Sequence, residues 1–278
     1  MCSAALVTAA SVRKISTDCV VRGLTSVDDE LFVLLLRDDN QVAVYSIEDY
    51  EPGLLHYLYV PEYEPDGLSD ITSCVRYKCL YMSDTDSCCI YRYVLASRAT
   101  TKWLVPGKPR GLSVTPSGNL LVTCRCEPNK LVELSAGSGV FLREIALQSD
   151  IESPRHSVQL TTGQFVVCNG NSDLHQVCVV GDDGKVTRSY GGYPGCNVGQ
   201  LNEAWHLAVD KDSQFIFVAD YGNSDDVGGG VVLLSPTLEF VRYVIEGLPQ
   251  PQRLHFHQSA RRLFVGQLSD RVVSVIQL

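Results

Sequence analysis

Short apolar runs separated by polar turns recur along the whole chain in a fixed order. In a typical copy, an apolar run at residues 110–114 is followed by a turn at 116–119 and a second apolar run at 120–122. Runs of four to eight residues that are rich in Val, Leu, Phe and Tyr and are cut by Gly, Asn and Asp are typical of β-strands. Long helical periodicity is absent. The pattern therefore predicts an all-β protein.

The copies are evenly spaced. Equivalent positions in the first apolar run are Gly23, Asp70, Gly111, His156, His206 and Arg253. Their spacings are 47, 41, 45, 50 and 47 residues, and the interval from the last copy through the end of the chain to the first copy is 48. The interval from the last copy to the first thus matches the intervals within the chain. This indicates a closed ring of repeats, because an open solenoid does not require such a match.

Each copy continues with a third and a fourth apolar run, and the third is clear at residues 41–45, 130–134, 176–180 and 271–275. Four strands in 40–50 residues is the size of a β-propeller blade. The last copy ends after its third run, so we expect a strand at about residues 5–15 to supply the fourth and close the ring. The sequence thus predicts a single domain over residues 1–278, a six-bladed β-propeller of four-stranded antiparallel blades that begin near residues 23, 70, 111, 156, 206 and 253.

With the repeat laid out, the chain resembles the NHL-repeat β-propeller that ends many tripartite-motif proteins. The most specific stretch runs from residue 207 to residue 224, where Leu207–Asp210 is followed by a turn, a second strand and a loop with Asp220, Gly222 and Asn223. A proline before the start of the blade, at residues 109, 154 and 251, also fits. The sequence departs from the family pattern in the fifth blade, where residues 225–230 intervene before the next strand.

The resemblance implies a propeller fold and a habit of binding partners, because NHL relatives include protein binders, RNA binders and, further afield, enzymes. We find no RING, B-box or coiled-coil segment in this sequence. We therefore do not expect ubiquitin-ligase activity from these residues.

Charge and composition limit the classes of partner that the protein is expected to bind. The 278 residues carry 23 basic and 32 acidic side chains, so the net charge is −9, which opposes sequence-independent binding of nucleic acid. No apolar run approaches the roughly 20 residues of a membrane span, and the apolar start lacks the basic region of a secretory signal. The 11 cysteines are an odd number, and most lie in strand-like runs, which favours reduced thiols and a cytoplasmic protein.

The first strand of each blade lines the central channel of a propeller, so the residues that begin these strands surround one mouth. We expect Arg22, Arg110 and Arg155 at the rim, with Asp70, His156, His206 and Arg253 one position further in and Trp205 beside His206. One hypothesis is a charged pocket that binds a carboxylate, a phosphate or an acidic peptide through bidentate contacts. The alternative is that these arginines are merely solvated.

Two histidines and one aspartate at equivalent positions also suit a zinc site, in which Asp70, His156 and His206 would be the ligands. Against this, only two of the six positions carry histidine, and such histidines more often bond to nearby backbone. Motifs for a nucleophile elbow, a zinc protease or a phosphate-binding loop are absent.

We therefore predict a monomeric, non-catalytic interaction module without a cofactor, which binds a protein or peptide at the mouth and does not bind membranes. Single-stranded RNA on the same face is the first alternative, with a base stacked on Trp205 and phosphates on the arginines. A metal-dependent propeller enzyme that uses Asp70, His156 and His206 is the second.

Overall fold

The computed structural model describes residues 12–17, 19–28, 30–35, 41–47, 53–60, 67–170, 173–193, 195, 199–223 and 227–278. Within these ranges the chain forms 24 β-strands and no α-helix. The strands make six antiparallel sheets of four strands each. The all-β, six-bladed fold that the repeat predicts is confirmed.

Each sheet is one blade, and in five of the six blades the strands follow chain order from the axis outward. Blade 1 contains the second to fifth strands of the chain, β2 (Val21–Val27), β3 (Glu30–Leu35), β4 (Gln41–Ser46) and β5 (Leu54–Tyr59). Blade 2 contains β6 (Leu68–Cys74), β7 (Cys79–Asp84), β8 (Cys89–Val94) and β9 (Thr100–Leu104). Blade 3 contains β10 (Lys108–Val114), β11 (Leu120–Arg125), β12 (Lys130–Leu134) and β13 (Phe141–Ala146).

The remaining three blades repeat this order. Blade 4 contains β14 (Pro154–Gln159), β15 (Phe165–Asn169), β16 (His175–Val180) and β17 (Val186–Gly192). Blade 5 contains β18 (Ala204–Val209), β19 (Ile216–Asn223), β20 (Val227–Leu234) and β21 (Phe240–Leu248). Blade 6 contains β22 (Pro251–His257), β23 (Arg262–Gln267), β24 (Val272–Gln277) and the first strand of the chain, β1 (Val12–Ser16).

Strand β1 closes the ring. It pairs antiparallel with β24, with Val12 opposite Ile276 and Ser16 opposite Val272. The described strand therefore begins at Val12, and residues 5–11 of the predicted closing strand lie outside the described residues. Pairing the first strand with the last covers an edge that would otherwise be open.

The hydrophobic core is divided among the joints between blades. Six clusters of buried residues are present, and each joins two neighbouring blades, including blades 6 and 1. In the joint between blades 6 and 1, Ile15 packs with Leu31 and Phe264. Because strands alternate their side chains between two faces, each blade contributes to two clusters.

The cysteines of the described ranges are unpaired, and Cys74, Cys79, Cys168 and Cys178 are buried in these clusters. They pack there as small apolar side chains. Among the described residues, no helix is long and apolar enough to span a membrane.

Candidate functional site

The first strand of every blade is interrupted near its start by an irregularity in its pairing with the second strand. The register shifts lie between Val21 and Gly23, Leu68 and Asp70, Pro109 and Leu112, Pro154 and His156, Ala204 and His206, and Pro251 and Arg253. A β-bulge at such a place redirects the side chain of the extra residue. All six blades therefore redirect one side chain at the same mouth of the channel.

Two rings of side chains result. The rim ring consists of the bulge residues Arg22, Ser69, Arg110, Arg155, Trp205 and Gln252, in the order of blades 1 to 6. The axial ring consists of the residues that follow them, Gly23, Asp70, Gly111, His156, His206 and Arg253. Every member of the axial ring is buried, whereas the members of the rim ring other than Gln252 are half-buried. The rim ring is thus open to a ligand and the axial ring is its floor.

A pocket lies where the two rings meet. Its lining includes Arg22, Arg110 and Arg155 from the rim ring and Asp70 and Arg253 from the axial ring. Its volume is about 50 Å³, and on this scale one water molecule needs about 10–15 Å³. The pocket therefore has room for a small polar group and not for a large ligand.

Asp70 is the member of the axial ring around which the other polar groups gather, and it is 2% exposed. Its Oδ2 accepts a hydrogen bond from the Leu112 backbone N–H at 2.9 Å and lies 3.4 Å from Nε2 of His206. Nε2 of His156 is 3.8 Å from the same oxygen, and Nε of Arg253 is 3.9 Å from Oδ1. One carboxylate of blade 2 thus contacts blades 3, 4, 5 and 6 across the axis.

Arg253 extends this network to blade 1. Its Nε donates to the backbone oxygen of Arg22, one terminal nitrogen donates to Ser69 O at 2.7 Å, and the other donates to Gln252 O at 2.9 Å. Burial lowers the pKa of Arg253 to about 10, so the guanidinium remains charged at neutral pH. The axial network therefore touches all six blades and contains one buried anion and one buried cation.

The two histidines serve as neutral donors. His156 Nε2 donates to Leu112 O at 3.0 Å, and His206 Nδ1 accepts from the Leu254 N–H at 3.4 Å, so the proton of His206 is on Nε2 and faces Asp70. The rings stack at a centroid distance of 3.7 Å. Burial lowers the pKa of His156 to about 3, and burial also lowers the pKa of His206. Burial alone would raise the pKa of Asp70, but His206, with His156 and Arg253, outweighs it and holds this pKa below its ordinary value.

Two glycines let the inner strands approach each other at the axial ring. A Cβ on Gly111 would lie 2.6 Å from Cα of His156, and one on Gly23 would lie 2.7 Å from the backbone nitrogen of Ile71. Both distances are shorter than real Cβ contacts, and the obstacles include backbone atoms, which cannot turn aside as a side chain can. Glycine at these positions is therefore required for the close packing of blade 3 on blade 4 and of blade 1 on blade 2.

Arg155 and Trp205 form an extended stack at the rim. The guanidinium carbon of Arg155 lies 4.1 Å from the indole centroid, and the ring of Tyr221 stacks on the indole at 5.0 Å. A terminal nitrogen of Arg155 is 3.3 Å from a carboxylate oxygen of Glu203. Glu203 has a φ of 81°, a conformation that non-glycine residues rarely adopt. The indole is thus already stacked against two side chains, and Arg155 is held by one carboxylate.

Positive charge is concentrated on the neighbouring part of the rim. Burial lowers the pKa of Arg110, and the nearby charges of Arg155, Arg125 and Arg22 lower it further, whereas the charge of Asp86 partly offsets this shift. The buried Nε atoms of Arg110 and Arg155 have no hydrogen-bond partner among the described residues. An acidic protein therefore presents a locally basic mouth.

The three candidate zinc ligands are close together, although they come from blades 2, 4 and 5. One ligand atom from each of Asp70, His156 and His206 lies within 4.8 Å of the others. Two features of the geometry favour hydrogen bonding over coordination. The stacked rings are only 26° apart, so the nitrogen lone pairs lie in two nearly parallel planes, which disfavours a metal ion shared by both rings. The guanidinium of Arg253 also lies beside the carboxylate.

The structure brings together every residue that the sequence singles out. Arg22, Asp70, Arg110, Arg155, Trp205, His206 and Arg253 line the pocket, and His156 stacks beneath it on His206. Sequence reasoning missed Ser69, Gln252 and Glu203. Ser69 and Gln252 could have been found from the repeat, since each precedes an axial-ring residue in the same way as Arg22 precedes Gly23. The role of Glu203 had no signal in the repeat, because its contact with Arg155 joins neighbouring blades.

The comparisons with known proteins agree with this fold. No protein-family model matches the chain. A stretch of 72 residues, 26% of this chain, is 39% identical to the RING finger protein nhl-1 of Caenorhabditis elegans and spans 7% of that protein. Virginiamycin B lyase from Staphylococcus aureus has a similar structure, with a TM-score of 0.64 over 96% of this chain and 99% of the lyase chain at 11% identity. Hydrazine synthase from Kuenenia stuttgartiensis has a TM-score of 0.66 over 95% of this chain and 97% of the synthase chain at 14% identity.

The chain is a six-bladed β-propeller, as its sequence repeat predicts, and the similarity of part of it to nhl-1 agrees with the NHL resemblance of its sequence. The solved neighbours show the fold alone, because their identities are far below the level at which a function is shared. The match to nhl-1 covers much less than two thirds of that protein.

Proposed function

We propose that this propeller is a non-catalytic interaction module that binds an anionic group of a protein or peptide partner in the pocket at the channel mouth. The observation that carries the proposal is the convergence of Arg22, Arg110 and Arg155 on one small pocket in a protein of net charge −9. Guanidinium groups bind carboxylates and phosphates through paired hydrogen bonds. The similarity of part of the chain to nhl-1 is in keeping with a binding role.

The floor of the pocket supports a binding role over a catalytic one. Asp70, His156 and His206 are the titratable groups best placed to act as an acid or a base, and they are already engaged with one another and with the backbone. A general base must have a free acceptor that reaches the proton it removes. Asp70 and His206 line the pocket, but Oδ2 of Asp70 and both ring nitrogens of His206 are already hydrogen-bonded within the floor.

The test is titration calorimetry of the full chain with a capped hexaglutamate peptide. We expect saturable binding that weakens about tenfold for each of Arg110→Ala and Arg155→Ala, since a hydrogen bond to a charged group contributes about 1.5–3 kcal/mol. Arg188→Ala is the matched control, because Arg188 is an exposed arginine on the outer strand of blade 4. Equal binding by the double variant and the wild type would contradict the proposal.

Single-stranded RNA is the competing ligand for the same face. Stacking of a base on Trp205 would have to displace Arg155 or Tyr221 from the indole. Titration with an oligouridine at two salt concentrations distinguishes the cases. Tight binding that weakens steeply with salt and is lost in Trp205→Ala would favour RNA over a protein partner.

The metal-dependent enzyme is favoured by one observation, the proximity of the ligand atoms of Asp70, His156 and His206. Elemental analysis of the purified, untagged protein tests it. One equivalent of zinc that is lost in His206→Ala would replace the interaction module with a metal site. Zinc that is absent, or that remains in the variant, would leave the hydrogen-bonded network as the role of these residues.

A further inference from the structure

The rim ring is chemically divided into two arcs. Blades 1 to 4 contribute Arg22, Ser69, Arg110 and Arg155 in succession, so donors follow one another around two thirds of the mouth. Blades 5 and 6 contribute the uncharged Trp205 and Gln252. A ligand bound at this mouth therefore meets a cationic arc on one side and an aromatic and amide arc on the other.

Like charges accumulate on the cationic arc. Besides burial, Arg155, Arg125 and Arg22 lower the pKa of Arg110, and Asp86 partly offsets them. Arg22 and Arg155 act on Arg253 in the same way, where Asp70 opposes them. Among the described residues, Glu203 is the counter-ion that contacts Arg155. A group with two negative charges relieves such repulsion more than a group with one charge does.

The pocket volume sets the size of that group. About 50 Å³ corresponds to roughly four water molecules, which fits a tetrahedral head group. The Nε atoms of Arg110 and Arg155 are buried and have no partner among the described residues. A phosphoryl group offers three acceptor oxygens to donors that approach from different directions, whereas a carboxylate offers two oxygens in one plane.

We infer that the mouth pocket selects a phosphate monoester, carried by a phosphorylated side chain of a protein partner, over a carboxylate. This inference rests on the proposed function and adds the chemical class of the group that is bound. The floor of the pocket leaves the ligand to the rim, because Arg253 already donates to the backbone oxygens of Arg22 and Ser69. Asp70 in the floor is an anion, whose Oδ2 accepts a hydrogen bond from Leu112 and whose Oδ1 has no hydrogen-bond partner among the described residues. The rim arginines are then the groups that meet the ligand.

A phosphodiester is a poorer match than a phosphate monoester. It carries one charge at neutral pH instead of nearly two, and its two ester groups occupy part of a small pocket. A nucleic-acid strand would also need a stacking surface, and the indole of Trp205 already contacts Arg155 and Tyr221. A phosphate monoester on a protein side chain therefore matches the pocket better than a phosphodiester of a nucleic acid.

The experiment is calorimetric titration of the full chain at pH 7.5 with four small probes. These are the N-acetyl, N-methylamide derivatives of phosphoserine and of glutamate, inorganic phosphate, and dimethyl phosphate. We expect the phosphoserine derivative to bind at least about tenfold more tightly than the glutamate derivative and dimethyl phosphate, because it carries an additional charge and additional charge-assisted hydrogen bonds. Tryptophan emission in a Trp103→Phe background shows whether the probe binds near Trp205, since Trp205 is then the single tryptophan.

Variants separate the pocket from the rest of the surface. Arg110→Gln and Arg155→Gln should each reduce the affinity for the phosphoserine derivative about tenfold or more. Arg110→Lys keeps the charge but loses the planar fork, so it should retain part of the affinity. Arg188→Gln removes an exposed arginine of blade 4 and should leave the affinity unchanged. Thermal unfolding of each variant verifies that the ring is intact.

The outcomes distinguish the two proposals. Equal affinity for the phosphoserine and glutamate derivatives, with both affinities dependent on Arg110 and Arg155, would overturn the selectivity and leave the anionic interaction module standing. Failure of all four probes and of hexaglutamate to bind would overturn both proposals. Inorganic phosphate that binds as tightly as the phosphoserine derivative would support the phosphoryl class and assign it to the free ion instead of a protein side chain. Tighter binding of dimethyl phosphate would overturn the inference in favour of nucleic acid.

Discussion

At the channel mouth, neighbouring residues of one strand have different environments: one is at the rim and the next is buried at the axis. Arg155 at the bulge stays half-buried and reaches Trp205 and Glu203, whereas His156, the next residue, is buried and bonds to Leu112. The bulge makes this possible, because the extra residue leaves the regular alternation of side chains. Binding groups and structural groups can therefore be adjacent in sequence without sharing a role.

The buried histidines predict how stability changes with pH. The pKa of His156 is 6.5 in the unfolded chain and about 3 in the fold, so the unfolded state binds a proton that the native state does not bind between these values. The free energy of unfolding should therefore fall as the pH falls below about 6.5, by about 2 kcal/mol for this histidine between pH 7 and pH 5. The lowered pKa of His206 adds to the loss in the same direction.

Urea unfolding at several pH values, with His156→Gln as the variant, checks this. The variant should lack about 2 kcal/mol of the fall between pH 7 and pH 5. His56→Gln on the outer strand of blade 1 is the control and should follow the wild type, because His56 is exposed. A His156→Gln protein with the full wild-type slope would show that the pH dependence has another source.

At the scale of elements, the propeller depends on strands that meet correctly at the joints between blades. Each joint has its own hydrophobic cluster, and the joint between blades 6 and 1 includes a residue from the beginning of the chain. Five blades are formed by consecutive strands, and blade 6 combines β22 to β24 with β1. Closure of the ring is therefore concentrated in one short strand.

Ile15 tests this closure. It is 6% exposed, pairs with Val273 and packs between blades 6 and 1. Ile15→Ala should lower the free energy of unfolding by about 2–5 kcal/mol, because it leaves a cavity at the joint. Val12→Ala in the same strand should have a much smaller effect, since Val12 is 40% exposed. Urea unfolding measures both, and equal losses would mean that burial at this joint does not stabilise the ring.

At the scale of the whole molecule, the axial network links the blades through charge and hydrogen bonds, whereas the clusters link them through apolar packing. Asp70 of blade 2 contacts groups from blades 3 to 6, and Arg253 donates to the backbone of blades 1 and 2. The network lies on the axis, where every blade is equally near. A change at Asp70 should therefore affect the ring as a unit.

Asp70→Asn removes the buried anion and keeps the side-chain shape. It should lower the free energy of unfolding by about 3 kcal/mol or more, because the buried cation of Arg253 loses its counter-charge. Asp28→Asn removes an anion that pairs with Lys78 at the surface and should cost at most about 1 kcal/mol. Far-ultraviolet circular dichroism and tryptophan fluorescence should report one common transition for Asp70→Asn. Separate transitions would show that Asp70 stabilises only its own blade.

The sequence alone determined the architecture and the positions of the important residues. The even spacing of apolar runs specifies six blades and their order, because each blade must bury two faces against its neighbours. The equivalent positions also place Asp70, His156, His206 and Arg253 at one depth and the arginines at the rim.

Only the tertiary structure decided what these residues do. The contact of Asp70 with His206 joins positions that are 136 residues apart on blades 2 and 5, and no local pattern reports a distance across the axis. The stack of Arg155, Trp205 and Tyr221 and the contact of Arg155 with Glu203 depend on the angle between neighbouring blades. Proton positions on the histidines follow from partners on other blades, so the choice between a hydrogen-bonded network and a metal site depends on three-dimensional geometry, which periodicity does not encode.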